Sequence, residues 1–169
     1  MALARWLRHR LRARLAVDRV LPPAALDRIE AAIAAGEATH RGEIRIAVEA
    51  SLPWSYLKRD AKVRERAEMM FAKLRVWDTD ERNGVLVYVE LADHGIELVA
   101  DRGAARVVPA EAWPPIVAAM AERFRGGDFE GGVVAGVEQV ARLLAQYFPA
   151  VEGSRNANEL PNRPVILGR

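Results

Sequence analysis

Val85-Leu86-Val87-Tyr88-Val89-Glu90-Leu91, then Ala92-Asp93-His94-Gly95, then Ile96-Glu97-Leu98-Val99-Ala100, is the stretch from which the fold can be read. The first run is almost continuously apolar, which suits a strand covered on both faces in the middle of a sheet. Asp93-His94-Gly95 is turn chemistry, and Ile96 to Ala100 returns as the antiparallel partner of a hairpin. Upstream, Glu43-Ile-Arg-Ile-Ala-Val-Glu49 alternates polar and apolar residues and predicts another strand, with Pro53 closing it. Between these strands Val63, Ala67, Met70, Phe71 and Leu74 keep helical spacing, predicting a crossover helix over 58–74. A strand, a crossover helix and a second strand make a right-handed parallel unit. The expected sheet is therefore small and mixed, a parallel β-α-β unit plus one antiparallel hairpin strand.

Outward from that centre the chain is helical. A helix is expected from Ala24 to Ala35, stopped by Gly36. Two more are expected downstream: one opened by Pro109 and Glu111 that runs to Phe124, and one from Phe129 to Phe148, with Gly126-Gly127-Asp128 between them. Helices on both faces of a sheet make an α/β three-layer sandwich. The expected division is a basic leader helix over 1–21, one domain over 22–149, and an extended, aperiodic C-terminal tail over 150–169.

The chain has 169 residues, half of them hydrophobic, and no cysteine. One domain of this size buries enough surface to fold without staples. The lack of cysteine excludes disulfides, thiolate–zinc sites and thiol nucleophiles. The net charge is +2, yet the six arginines of residues 1–20 against Asp18 give that segment +5, leaving −3 for residues 21–169. A mildly acidic body argues against nucleic-acid binding. Leu3, Leu7, Leu11 and Leu15 recur every four residues, with Arg5, Arg8, Arg12 and Arg19 gathered on another face and Arg14 intruding among the leucines. That amphipathic leader has two readings: a segment lying on an anionic membrane surface, or an ordinary helix packed on the domain or a partner. Its arginines interrupt any signal-peptide core, and no apolar run is long enough to span a bilayer. The expectation is a cytoplasmic protein, with a peripheral place at the inner membrane face as the variant.

Three pieces carry a family resemblance: Gly42-Glu43-Ile44 opening the first strand, Asn83-Gly84-Val85-Leu86 opening the second, and Phe124-Arg-Gly-Gly-Asp-Phe-Glu-Gly-Gly132 before the last helix. Their order and spacing resemble the TPM domain over residues 42–149. The leader and the closing Glu159-Leu160-Pro161-Asn162-Arg163-Pro164 resemble a bacterial subgroup of that family without its export signal and anchor. The resemblance implies a mixed sheet sandwiched by helices. It also implies a calcium-binding or weak acid phosphatase activity, or assistance to membrane-associated complexes. The chain departs from the family's Gly-Tyr-Gly after the third strand, carrying Ala100-Asp101-Arg102-Gly103 instead.

The expected topology brings the start of strand one, the loop before strand two and the end of strand three to a single rim. Glu43, Asp78, Asp80, Glu81 and Asp101 are thereby candidate ligands for calcium or another divalent cation, which takes six to eight oxygens. Arg82 and Arg102 are candidate anion or partner contacts at the same rim. The competing reading is a solvated acidic loop neutralised by those two arginines. An enzyme would be a metal-assisted phosphatase with Asp101 and Arg102 at its centre, but no nucleophile elbow or phosphate-binding glycine loop is present. His40 near the rim is a candidate ligand or base, or else a plain surface histidine.

Overall fold

The computed structural model describes residues 4–7, 9, 17–151 and 158–168. In chain order these form α1 (Val17–Val20), α2 (Pro23–Glu37), β1 (Glu43–Glu49), α3 (Trp54–Lys58) and α4 (Val63–Lys73). There follow β2 (Gly84–Glu90), β3 (Gly95–Ala100), α5 (Arg102–Val107) and a 3-10 turn over Ala110–Ala112. The last elements are α6 (Trp113–Arg125), α7 (Phe129–Tyr147) and β4 (Val165–Leu167).

The sheet order is β3-β2-β1-β4. β1 pairs parallel with β2, Glu43 opposite Gly84 and Glu49 opposite Glu90. β3 pairs antiparallel with β2, Val85 opposite Ala100. The mixed sheet flanked by helices is as the sequence predicts. The expected crossover helix is split: Pro53 starts the short α3, and Lys62 then opens α4.

α2 also runs through Gly36, the expected stop, to Glu37, and two further features differ from the expectation. The tail does not remain a plain extension: Val165, Ile166 and Leu167 pair parallel with Ala47, Val48 and Glu49 as a fourth, edge strand. Three residues are too few to show a period, so only the open edge of β1 makes them a strand. The polar positions of β1 do not face water either, since all seven of its residues are buried. One face of the sheet carries Ile44, Ile46, Val48, Val85, Val87 and Val89 into the main core with α2, α6 and α7. The other carries Ala47, Leu86, Tyr88 and Val99 against Ala67 and Met70 of α4 and Leu160 of the tail. Glu43, Arg45 and Glu49 alternate onto that second face, and burial there forces each of them to find a partner.

Candidate functional site

The rim at the starts of β1 and β2 is built around Gly84. A Cβ on Gly84 would stand 2.1 Å from the carbonyl oxygen of Val76, so the loop before β2 is pressed onto the strand. Across the ladder Glu43 lies opposite Gly84, and the Asp101 N–H donates to the Gly84 carbonyl at 2.9 Å. Asp101 leaves β3 and caps α5, its Oδ1 accepting from the Arg102 N–H at 2.6 Å. Gly103 follows because a Cβ there would lie 2.3 Å from the Glu81 carbonyl and 2.5 Å from that of Arg82. Its N–H donates to the Arg82 carbonyl at 2.8 Å, and Arg82 takes a positive φ of 53° to present it. The loops 81–83 and 101–104 are therefore laced together.

Among the sequence-predicted ligands, Asp78 is exposed and paired with Arg75 at 2.5 Å. Glu81 is paired with Arg41. Asp80 is exposed, and its backbone N–H donates to Glu159 Oε2 of the tail at 2.9 Å. Glu43 is fully buried and turns toward the tail, its Oε2 accepting from the Leu160 N–H at 3.2 Å. Arg82 and Arg102 are exposed. The structure thus brings Asp78, Asp80, Glu81 and Asp101 to neighbouring loops, while Glu43 belongs to the seam with the tail. No three carboxylates of this rim place ligand atoms within 4.8 Å of one another.

Two oxygens at the rim are nonetheless buried without a hydrogen-bond partner, Asp101 Oδ2 and Asn83 Oδ1. Asp101 is 4% exposed and Asn83 1%. The Asn83 amide is oriented by donation from Nδ2 to the Arg41 carbonyl at 2.9 Å, which leaves its oxygen as the open acceptor. His40 is fully buried, and its Nδ1 donates to the Gly42 carbonyl at 2.9 Å. Burial lowers its pKa, partly countered by that hydrogen bond. The expected surface histidine is thus an interior one, tied to the turn into β1.

Glu37, at the end of α2, is buried beside Glu43. Burial first, and then the Glu43 charge, push its pKa up to about 7 against the Asn162 hydrogen bond, Nδ2 to Oε2 at 2.7 Å. Sequence reading passed over this residue because its position on α2 shows nothing of the strand and tail that meet it.

The opposite rim holds a second constellation, also missed from sequence. His9, Glu90 and Asp93 place ligand atoms within 4.8 Å of one another. The His9 Nδ1 accepts from the Leu52 N–H at 3.2 Å, and its Nε2 lies 3.1 Å from Asp93 Oδ2. Both Glu90 oxygens accept backbone N–H groups, from Ala92 at 3.0 Å and Asp93 at 2.7 Å. Arg5 donates to Asp93 at 2.7 Å and to Asp60 at 2.6 Å. With the Arg5 guanidinium alongside, this set ties the leader to the domain. Burial raises Glu90 to about 7, despite those two N–H groups, and the Asp93 and Glu49 charges add to the rise. Burial would raise Asp93 too, but Arg5 and His9 hold it net below its usual value. The spacing of Arg5 and His9, four apart, was the available signal.

This corrects the reading of Arg5 as an outward-facing membrane or partner residue: its side chain is 16% exposed and is spent on the domain's own carboxylates. Trp6 likewise meets the Trp54 ring edge-on at 6.4 Å. Arg19 is exposed, whereas Arg8 and Arg12 lie outside the described residues.

Comparison with known proteins agrees with this architecture. No curated protein matches the chain. A solved structure does, that of the BA42 protein from the psychrophilic bacterium Bizionia argentinensis, determined by NMR. It is 30% identical with a TM-score of 0.78, over 89% of this chain and 98% of that one. The family model of the TPM domain matches residues 17–143, which takes in every strand of the predicted β-α-β-β core, and the chain belongs to the TPM domain family.

Proposed function

We propose that the chain is a non-enzymatic TPM accessory module that holds a divalent cation, calcium or one like it, weakly at the rim of Asp78, Asp80, Glu81 and Asp101, beside membrane-associated partners. The observation that carries this reading is Asp101 Oδ2, a buried carboxylate oxygen with no hydrogen-bond partner. Such an atom costs about 1–3 kcal/mol when nothing meets it, and a cation with its waters removes that cost. Asn83 Oδ1 offers a second oxygen, and the exposed Asp78 and Asp80 carboxylates supply charge nearby. Weak affinity follows from the geometry, because the carboxylates do not converge without rearrangement. Arg82 and Arg102, both exposed, flank the site as contacts for an anion or a partner. The remaining leader charge, with Arg19 exposed, supports a place beside an anionic membrane surface.

The test is a calcium titration followed by backbone NMR and thermal melting. Shifts confined to 78–83 and 101–103, with a rise in melting temperature by mass action, are expected. Asp80→Ala and Asp101→Asn should each reduce that rise, the asparagine keeping the cap of α5. An unchanged rise in the double variant would reject the site. Metal-dependent turnover of a generic aryl phosphate, abolished by Asp101→Asn, would instead assign the same rim to hydrolysis.

A further inference from the structure

The groove beside β1 is made of charged groups whose partners are backbone and side-chain atoms of the tail. Arg45 is 8% exposed and points onto the α4 face, where its Nη1 donates to the carbonyl oxygens of Pro161 and of Arg163, the latter at 2.7 Å. Among the described residues no carboxylate pairs with it, and burial lowers its pKa. On the same strand Glu43 accepts the Leu160 N–H. Glu37 accepts from Asn162, and the Arg163 guanidinium reaches Asp27 at 2.9 Å and Glu30 at 2.8 Å. Leu160 is sunk 5% exposed into the second core, and β4 continues the contact as a parallel ladder. A guanidinium and two carboxylates, all buried in order to meet one extended segment, are the chemistry of strand capture by a sheet edge. Pro161 and Pro164 suit the segment to this role, because they pre-set its extended form and carry no N–H that needs a partner.

We propose that this groove is a strand-receiving interface whose second occupant is the tail of another copy of this chain, exchanged reciprocally to give a swapped dimer. The sequence that the groove reads, Glu159 to Leu167, is the chain's own, and every contact described above can be made identically between copies. Exchange creates no new surface chemistry, which is the condition under which swapping is least costly. It also carries Glu159 of one copy to the Asp80 N–H of the other. This inference is independent of the cation reading.

The chain has no cysteine, so single cysteines report the exchange directly. Asp27 and Arg163 are both exposed and in contact. The double variant Asp27→Cys, Arg163→Cys should be closed within one chain by a short bismaleimide, which establishes that the two positions are within reach. Full-length Asp27→Cys and Arg163→Cys chains are then mixed, incubated and treated with the same reagent. The expected result is a covalent heterodimer in excess of both single-variant controls. Its yield should climb with protein concentration toward the millimolar range at which a tethered segment meets its own site. Excess synthetic peptide 158–168 should suppress it. Complete closure in the double variant, with the mixture never exceeding the controls at any concentration, would overturn the proposal.

Discussion

Arg66 of α4 grips Glu49, the last residue of β1, through two nitrogens, Nη2 at 2.7 Å and Nε at 2.9 Å. Glu49 is 3% exposed and also accepts the Tyr88 hydroxyl. The helix that covers the second face of the sheet is thus pinned by a buried charge pair as well as by Ala67 and Met70. Those hydrogen bonds hold the Arg66 guanidinium above its ordinary pKa, burial notwithstanding.

Removing one partner of this pair strands the other. Arg66→Ala should cost about 3–5 kcal/mol, because the Glu49 carboxylate stays buried with only Tyr88 to meet it. Glu49→Gln combined with Arg66→Met should recover part of that loss. Urea denaturation of Glu49→Gln, Arg66→Met and the double variant gives the coupling energy, and a value near zero would show that the pair does not hold α4.

Gly84 tests the packing of the rim loop. Gly84→Ala drives a methyl into the Val76 carbonyl and should destabilise by more than about 3 kcal/mol. Gly127 serves as the contrast: a Cβ there meets nothing within 4 Å, but its φ is +81°, so Gly127→Ala should cost only about 1 kcal/mol. Equal losses in thermal melts would mean that close approach at Gly84 is not what selects glycine.

Stability should fall as pH rises from about 4.5 to about 7 through Glu37 and Glu90. Both have folded pKa values raised to about 7 from 4.5, so in that window the folded chain binds more protons than the unfolded one. His40 acts in the opposite sense, since its lowered pKa makes folding favour deprotonation below pH 6.5. Glu37→Gln keeps an acceptor for Asn162 and removes the charge facing Glu43. It should stabilise at pH 8 by on the order of 2 kcal/mol and have little effect at pH 4.5. Melts across that range check it, and an unchanged slope would exclude Glu37 as its source.

The leader should behave as part of the fold. Arg5→Ala exposes Asp93 and Asp60 to the loss of a shared cation and should cost about 1–3 kcal/mol. Arg19→Ala, at an exposed position, should stay within about 0.5 kcal/mol. Sedimentation with anionic vesicles, measured on the same two variants, separates packing from lipid binding. A stable Arg5→Ala that loses vesicle binding would return Arg5 to the membrane.

The hairpin 85–100 and the parallel β1–β2 unit are legible in the sequence because periodicity and turn chemistry are local. A continuous apolar run announces its own burial, and Asp93-His94-Gly95 announces its own reversal. The rim was also legible in outline, since strand direction alone puts Asp78 to Glu81 and Asp101 at one edge. Which of those carboxylates remain available is a tertiary matter. Arg75 and Arg41 take Asp78 and Glu81, the N–H of Arg102 takes half of Asp101, and Glu43 is claimed by a residue 117 positions away. The same holds for Arg45, which alternation assigns to solvent and the tail draws into the interior, and for Arg5, whose partners lie 55 and 88 residues distant. Periodicity records only which side a residue faces; whether that side is covered depends on segments remote in the chain, and a charge is buried only where one of them brings its partner.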